Sequence, residues 1–180
     1  MRPRHAALGA CLACVTLAAC GAPGDDPGAQ APDPFVTPVA CTSGVMKDPN
    51  ESPSGLMMPG RACIACHDDV NASTDEAAPV FKFAGTLYRT GHEPDDCVGA
   101  DAFGAQVWVT DATGFIFGAK ANRSGNFSLE TRLPFLPPFM AKVLFRGRER
   151  AMVLPQTSGD CNACHTQEGV QGAPGRLALP

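Results

Sequence analysis

Two pentapeptides carry the chemistry this sequence can offer, Cys63-Ile-Ala-Cys66-His67 and Cys161-Asn-Ala-Cys164-His165. Each is C-x-x-C-H, the spacing at which a c-type haem is attached. In one helical turn residues i, i+3 and i+4 share a face, so two thiols can reach the two vinyl groups of one porphyrin while the imidazole lies beneath its iron. Cys63, Cys66, Cys161 and Cys164 are therefore the candidate attachment residues for two covalent haem c groups, with His67 and His165 as proximal iron ligands. One chance C-x-x-C-H in such a chain is expected about one time in a hundred, and two far less often. The chain has four histidines, and two of them stand in these motifs.

Three other uses of the same residues stay open at this level. The four thiolates could jointly hold one zinc ion, because C-x-x-C pairs also build zinc ribbons. Each pair could be a redox dithiol, although no thioredoxin-like strand-helix pattern precedes either one. Each could also close a structural disulfide.

A haem iron needs a sixth ligand or an open position. His92 is the one histidine outside both the leader and the motifs, which makes it the first distal candidate. Its neighbours Gly91, Glu93 and Pro94 fit a plain turn residue equally well. Met152, nine residues before Cys161, is the next candidate; Met57 and Met58 precede the first motif, and Met46 and Met140 are weaker. Two histidines on one iron favour a lower potential than His with Met, so this choice would select the redox partners.

The elements that position these residues begin with an export signal. Arg2 and Arg4 precede an apolar run over 6–19 without an acidic side chain, a secretory leader too short to span a membrane. It ends in Leu17-Ala18-Ala19-Cys20-Gly21, which resembles the bacterial lipobox. That resemblance implies cleavage before Cys20 and a lipid on its thiol, with Cys11 and Cys14 leaving in the leader. Gly21 rather than Asp follows, which favours the outer over the inner membrane of an exported protein facing the periplasm or cell surface. Residues 20–40 are rich in Pro, Gly, Ala and Asp and read as a tether without a core.

Cys41 and Cys97 are then the two cysteines left over. In an oxidising compartment a leftover pair more often forms a disulfide than stays as two buried thiols.

The 180 residues are 44% hydrophobic and 18% charged, enough to bury one modest core. With 19 glycines and 17 prolines the chain favours short strands and turns over long helices. A net charge of -4 gives no electrostatic reason to expect nucleic acid. No phosphate-binding Gly-rich loop, nucleophile elbow, H-E-x-x-H or calcium loop is present.

From 80 to 155 the pattern has period two. Strands are expected over 80–88, 106–110, 115–117, 127–129, 139–146 and 151–154, with a hairpin turn over 146–150. On the strand 139–146, Ala141, Val143 and Phe145 should face the core. Lys142, Arg146, Arg148 and Arg150 gather positive charge that suits haem propionates or a solvated face, and Trp108 reads as core or haem packing. The fold expected is mainly β: a small antiparallel β-sandwich over 80–155, flanked by short helical or loop-rich haem segments over 41–79 and 156–180, after the leader (1–19) and tether (20–40).

The phrases GTLYRT, GAQVWVTDATGFIF and NRSGNFSL resemble the carboxypeptidase regulatory-like (transthyretin-like) β-sandwich over about 70 residues. The longer run from PGRACIACH through HEPDDC to SGDCNACHTQEGVQGAPGR resembles bacterial dihaem c-type cytochrome-like lipoproteins that pair this sandwich with two C-x-x-C-H sites. The resemblance implies an architecture rather than a reaction. The expected function is single-electron transfer between redox partner proteins of the cell envelope, with the protein held to the membrane by its lipid and without catalysis of its own. Two alternatives stand beside it: a haem peroxidase or reductase with an open iron position, and a surface binding module whose motifs hold zinc or disulfides.

Overall fold

The computed structural model describes residues 41–43, 58–75 and 77–180. The leader, the lipidation site at Cys20 and the tether lie outside the described residues, as do Met46 and Met57. Helix α1 (Cys63–Ser73) is followed by β1 (Phe83–Tyr88), β2 (Gln106–Thr110), β3 (Ile116–Lys120), β4 (Asn126–Leu129), β5 (Met140–Phe145) and β6 (Arg148–Ala151). A single turn, α2 (Cys161–Cys164), and a short β7 (Leu177–Ala178) complete the chain. Among the described residues no helix is long and apolar enough to cross a membrane.

The fold is mainly β, in two sheets of order β4-β1-β7 and β3-β2-β5-β6. Alternating β-branched and aromatic side chains decide which face is inside. Val107 and Val109 of β2, Phe117 and Ala119 of β3 and Val143 of β5 turn inward to meet Phe83, Leu87 and Phe127 from the other sheet in one apolar cluster. Ala141 and Phe145 pack against it, as the alternation predicts. The same period sends Trp108 out: it is 37% exposed on the outer face, opposite Gly118 and Lys142, with Nε1–H donating to Gln106 Oε1 at 2.8 Å. The expectation of a core tryptophan is corrected here, because both of its strand neighbours already face inward.

The turns follow from side-chain chemistry. Asp111 Oδ1 accepts from the N–H groups of Thr113 and Phe115, and Asn122 Oδ1 does the same for Ser124 and Asn126. Gly125 closes the second loop at φ 79°, where a Cβ would lie 2.3 Å from the Leu87 carbonyl. Between β5 and β6 the turn is shorter than its basic sequence suggests. Phe145 pairs directly with Arg148 across Arg146 and Gly147, both at positive φ, the geometry of a two-residue hairpin.

Two departures concern β1 and the C-terminal segment. All strand pairs are antiparallel except β1 with β7, where Leu87 meets Leu177 and Tyr88 meets Ala178 in parallel. The segment after the second motif thus adds a strand to the sheet. Cys41 and Cys97 form the disulfide expected from cysteine counting, with Cα atoms 5.2 Å apart.

Candidate functional site

Both C-x-x-C-H motifs begin helices, and both helices pack against β1. Every residue of β1 is buried: Phe83 and Leu87 face the apolar cluster, the 159–162 segment lies along Ala84 to Thr86, and Arg176 lies over Tyr88. Ala84 N–H donates to the Gly159 carbonyl at 3.0 Å, and Ala84 bridges Asp160 in parallel register. Thr86 N–H, the next donor on that edge, is taken by Asn162 Oδ1 at 2.9 Å. Gly85 between them lies so near Cys161 that a Cβ would come within 2.9 Å of the cysteine Cβ.

The first motif arrives at the same place. Gly60 N–H donates to Thr86 Oγ1 at 3.0 Å, and Asn162 Nδ2 donates to the Arg61 carbonyl at 2.8 Å. The two motifs, almost a hundred residues apart in the chain, thus meet at the middle of β1.

Locally the two motifs are built alike. Cys63 directs its Sγ at the Arg61 carbonyl (3.4 Å) and Cys161 at the Gly159 carbonyl (3.5 Å), each two residues upstream. His67 Nδ1 lies 2.8 Å from the Pro79 carbonyl, and His165 Nδ1 lies 2.7 Å from that of Gly175. A carbonyl oxygen only accepts, so Nδ1 carries the hydrogen in both rings and the Nε2 lone pair is left for a ligand. This is how a metal-binding imidazole is held in tautomer and orientation. Phe81 supports the His67 ring, with centroids 4.7 Å apart.

The two imidazoles are anchored towards opposite ends of β1. His67 packs on Phe81, two residues before β1, whereas His165 is tied to Gly175, whose neighbour Arg176 donates its N–H to Gly91 beyond the far end of β1.

The four motif cysteines are free thiols, so neither C-x-x-C is closed as a disulfide. Burial pushes the Cys63 thiol up to about 12, with the nearby charges of Asp160 and Cys66 adding to it. Burial likewise pushes Cys161 up, reinforced by Cys63 and Asp160. A redox dithiol works through a thiolate of lowered pKa, the opposite of what these surroundings produce. Among the described residues no three His, Cys, Asp or Glu side chains converge on a common metal position. Two thiols and a carbonyl-anchored imidazole on each helical turn fit a c-type haem.

His92 is brought to the second motif. Its Nδ1 lies 2.8 Å from the Gln167 carbonyl, two residues past His165, and its ring abuts Gly175. It is exposed, with Nε2 directed away from that anchor. Met152 is half-buried at the end of β6, its N–H donating to Ala141 on the four-stranded sheet. That sheet also carries the basic group: Lys142 pairs with Glu149 at 2.9 Å, and the Arg146 guanidinium lies 4.9 Å from the Phe145 ring centre.

Three side chains escaped the sequence reading. Asp160 stands at the N-cap of α2 but makes no cap bond there; its Oδ2 instead accepts from Ala65 N–H of α1 at 3.0 Å. Burial holds its carboxyl above the ordinary range despite hydrogen bonds from Ala65, Ile64 and Cys63. Asn162 occupies an unspecified position of its motif, where sequence carries no signal. Arg176 is buried, donates Nε–H to the Glu93 carbonyl at 2.7 Å, pairs with Asp96 and lies 4.5 Å over the Tyr88 ring.

No protein-family model matches the chain, and neither the curated proteins nor the solved structures contain a significant match to it.

Proposed function

We propose that the protein is an exported, lipid-anchored dihaem c-type cytochrome that carries single electrons between redox partners of the cell envelope. Its scaffold is a small β-sandwich of the carboxypeptidase regulatory-like kind, and Cys20 is the lipidated residue that holds it to the outer membrane. The observation that carries this reading is the duplicated anchoring of His67 and His165, each with Nδ1 bound to a backbone carbonyl and Nε2 left for iron.

Bound haem supplies an iron that accepts and returns one electron. The chain's own contribution is attachment, ligation and orientation. Cys63 with Cys66 and Cys161 with Cys164 would each hold one porphyrin through thioether links, and His67 and His165 would supply an imidazole to each iron. Carbonyl acceptance at Nδ1 raises the basicity of each ring and fixes its plane. His92 is the distal candidate for the second site, and Met152 remains the candidate carried by the other sheet.

Intact mass and a pyridine haemochrome spectrum test the proposal on protein made with a bacterial c-type maturation system. A mass gain of two haems with a c-type spectrum is expected. An unmodified mass without Soret absorbance overturns it and turns attention to zinc analysis. A high-spin spectrum that changes with peroxide would move the protein to the peroxidase class.

A further inference from the structure

We propose that Asp160 and Asn162 are positioning residues for the first haem site, so that both attachment motifs work as one unit. The proposal rests on the haem reading of the motifs. It starts from a deficit in α1. The N-cap residue, Ala62, has no side chain that can cap, and the first N–H groups of a helix have no partner within it. Asp160 supplies that partner from 95 positions away, through Oδ2 to Ala65 N–H at 3.0 Å. Placed there, its carboxylate also complements the positive end of the helix that carries Cys63, Cys66 and His67.

Asn162 completes the hold. Its amide is 3% exposed and spends every group on the seam: Oδ1 accepts from Thr86 N–H, while Nδ2 donates to the Arg61 carbonyl at 2.8 Å and to Thr86 Oγ1 at 3.0 Å. The same Nδ2 lies 3.8 Å from Cys63 Sγ. Asn162 thus holds the backbone two residues before Cys63 and stands against the sulfur itself, a contact that a thioether, which can accept but not donate, could keep.

The test isolates the first haem. A Cys161→Ser/Cys164→Ser variant keeps Asp160 and Asn162 and carries one haem by mass. Asn162→Ala and Asp160→Ala, each added to it, are expected to shift the reduction potential and the hyperfine-shifted methyl resonances of the first haem. Asp160→Asn, whose amide oxygen still accepts from Ala65, is expected to restore most of the parent signature. First-haem signals identical in all four proteins overturn the proposal. Wild-type protein without haem overturns the cytochrome reading itself, a result that mass separates from the former. Far-UV circular dichroism accompanies each variant; should Asp160→Ala fail to fold, Asn162→Ala decides.

Discussion

Thr86 and Asn162 exchange two hydrogen bonds, from Thr86 N–H to Asn162 Oδ1 at 2.9 Å and from Asn162 Nδ2 to Thr86 Oγ1 at 3.0 Å. A side-chain amide thus stands where a neighbouring strand would satisfy the edge of β1. Asn162→Ala leaves the buried Thr86 N–H without an acceptor. A loss of about 1–3 kcal/mol in unfolding free energy is expected, the cost of one unsatisfied buried donor. Urea denaturation checks it, and an unchanged midpoint would show that another group replaces the amide.

Gly85 tests the fit between strand and second motif. A Cβ there would come within 2.8 Å of Phe127 Cζ and 2.9 Å of Cys161 Cβ. Gly85→Ala is expected to destabilise the protein by about 1–3 kcal/mol through overpacking. Thermal unfolding measures the loss. Full stability in this variant would mean that the second motif stands off β1 in solution.

The Cys41–Cys97 bridge closes a loop of sequence separation 56 that includes the first motif. Replacing both cysteines with serine is expected to lower stability by about 2–4 kcal/mol, chiefly by freeing the unfolded chain. Denaturation of the double variant beside the oxidised protein gives the value.

Acid stability depends in part on the loop between β2 and β3. The Thr113 hydroxyl, donating to Asp111 Oδ1 at 2.6 Å, is the main cause that holds the Asp111 carboxyl below the usual range, against the opposing effect of burial. N–H groups of Thr113, Leu136 and Phe115 add to it. A pKa lowered on folding contributes stability that is present above the unfolded value of about 4 and is lost as pH falls through the folded one. Asp111→Asn should therefore be less stable than wild type at neutral pH. The two unfolding curves should converge in acid, and a gap independent of pH would refute the assignment.

His92 lies beside the second motif through Gln167 and Gly175. His92→Ala is expected to alter the low-spin spectrum of a Cys63→Ser/Cys66→Ser variant, which carries the second haem alone. The first-haem variant should keep its spectrum. Electron paramagnetic resonance of the oxidised proteins reads both, and the reverse pattern would assign His92 to the other iron.

The two C-x-x-C-H motifs are local patterns and were therefore legible in the sequence. One helical turn suffices to place Cys63, Cys66 and His67 on a common face, and the same holds for Cys161, Cys164 and His165. Strand faces were legible for the same reason: a period of two commits Val107 and Val109 to one side, and Val143 follows them. Where two rules competed, as at Trp108, the alternation prevailed over the preference of a large aromatic for burial. The pairing of Cys41 with Cys97 followed from setting aside the leader and motif cysteines and from an oxidising compartment.

What only the tertiary structure decided is the relation between distant segments. Nothing local to Asp160 says that its carboxylate leaves its own helix for the N–H groups of α1, because that partner is chosen by the register of 159–162 on β1. Nothing local to Asn162 says that it meets Cys63, nor to Pro79, Gln167 or Gly175 that their carbonyls anchor three imidazoles. A spacing rule acts over one turn of helix, whereas a hydrogen bond across 76 or more positions exists only once a sheet has brought its partners together. The residue types in this sequence specify the two C-x-x-C-H motifs, and the β1 edge makes them neighbours.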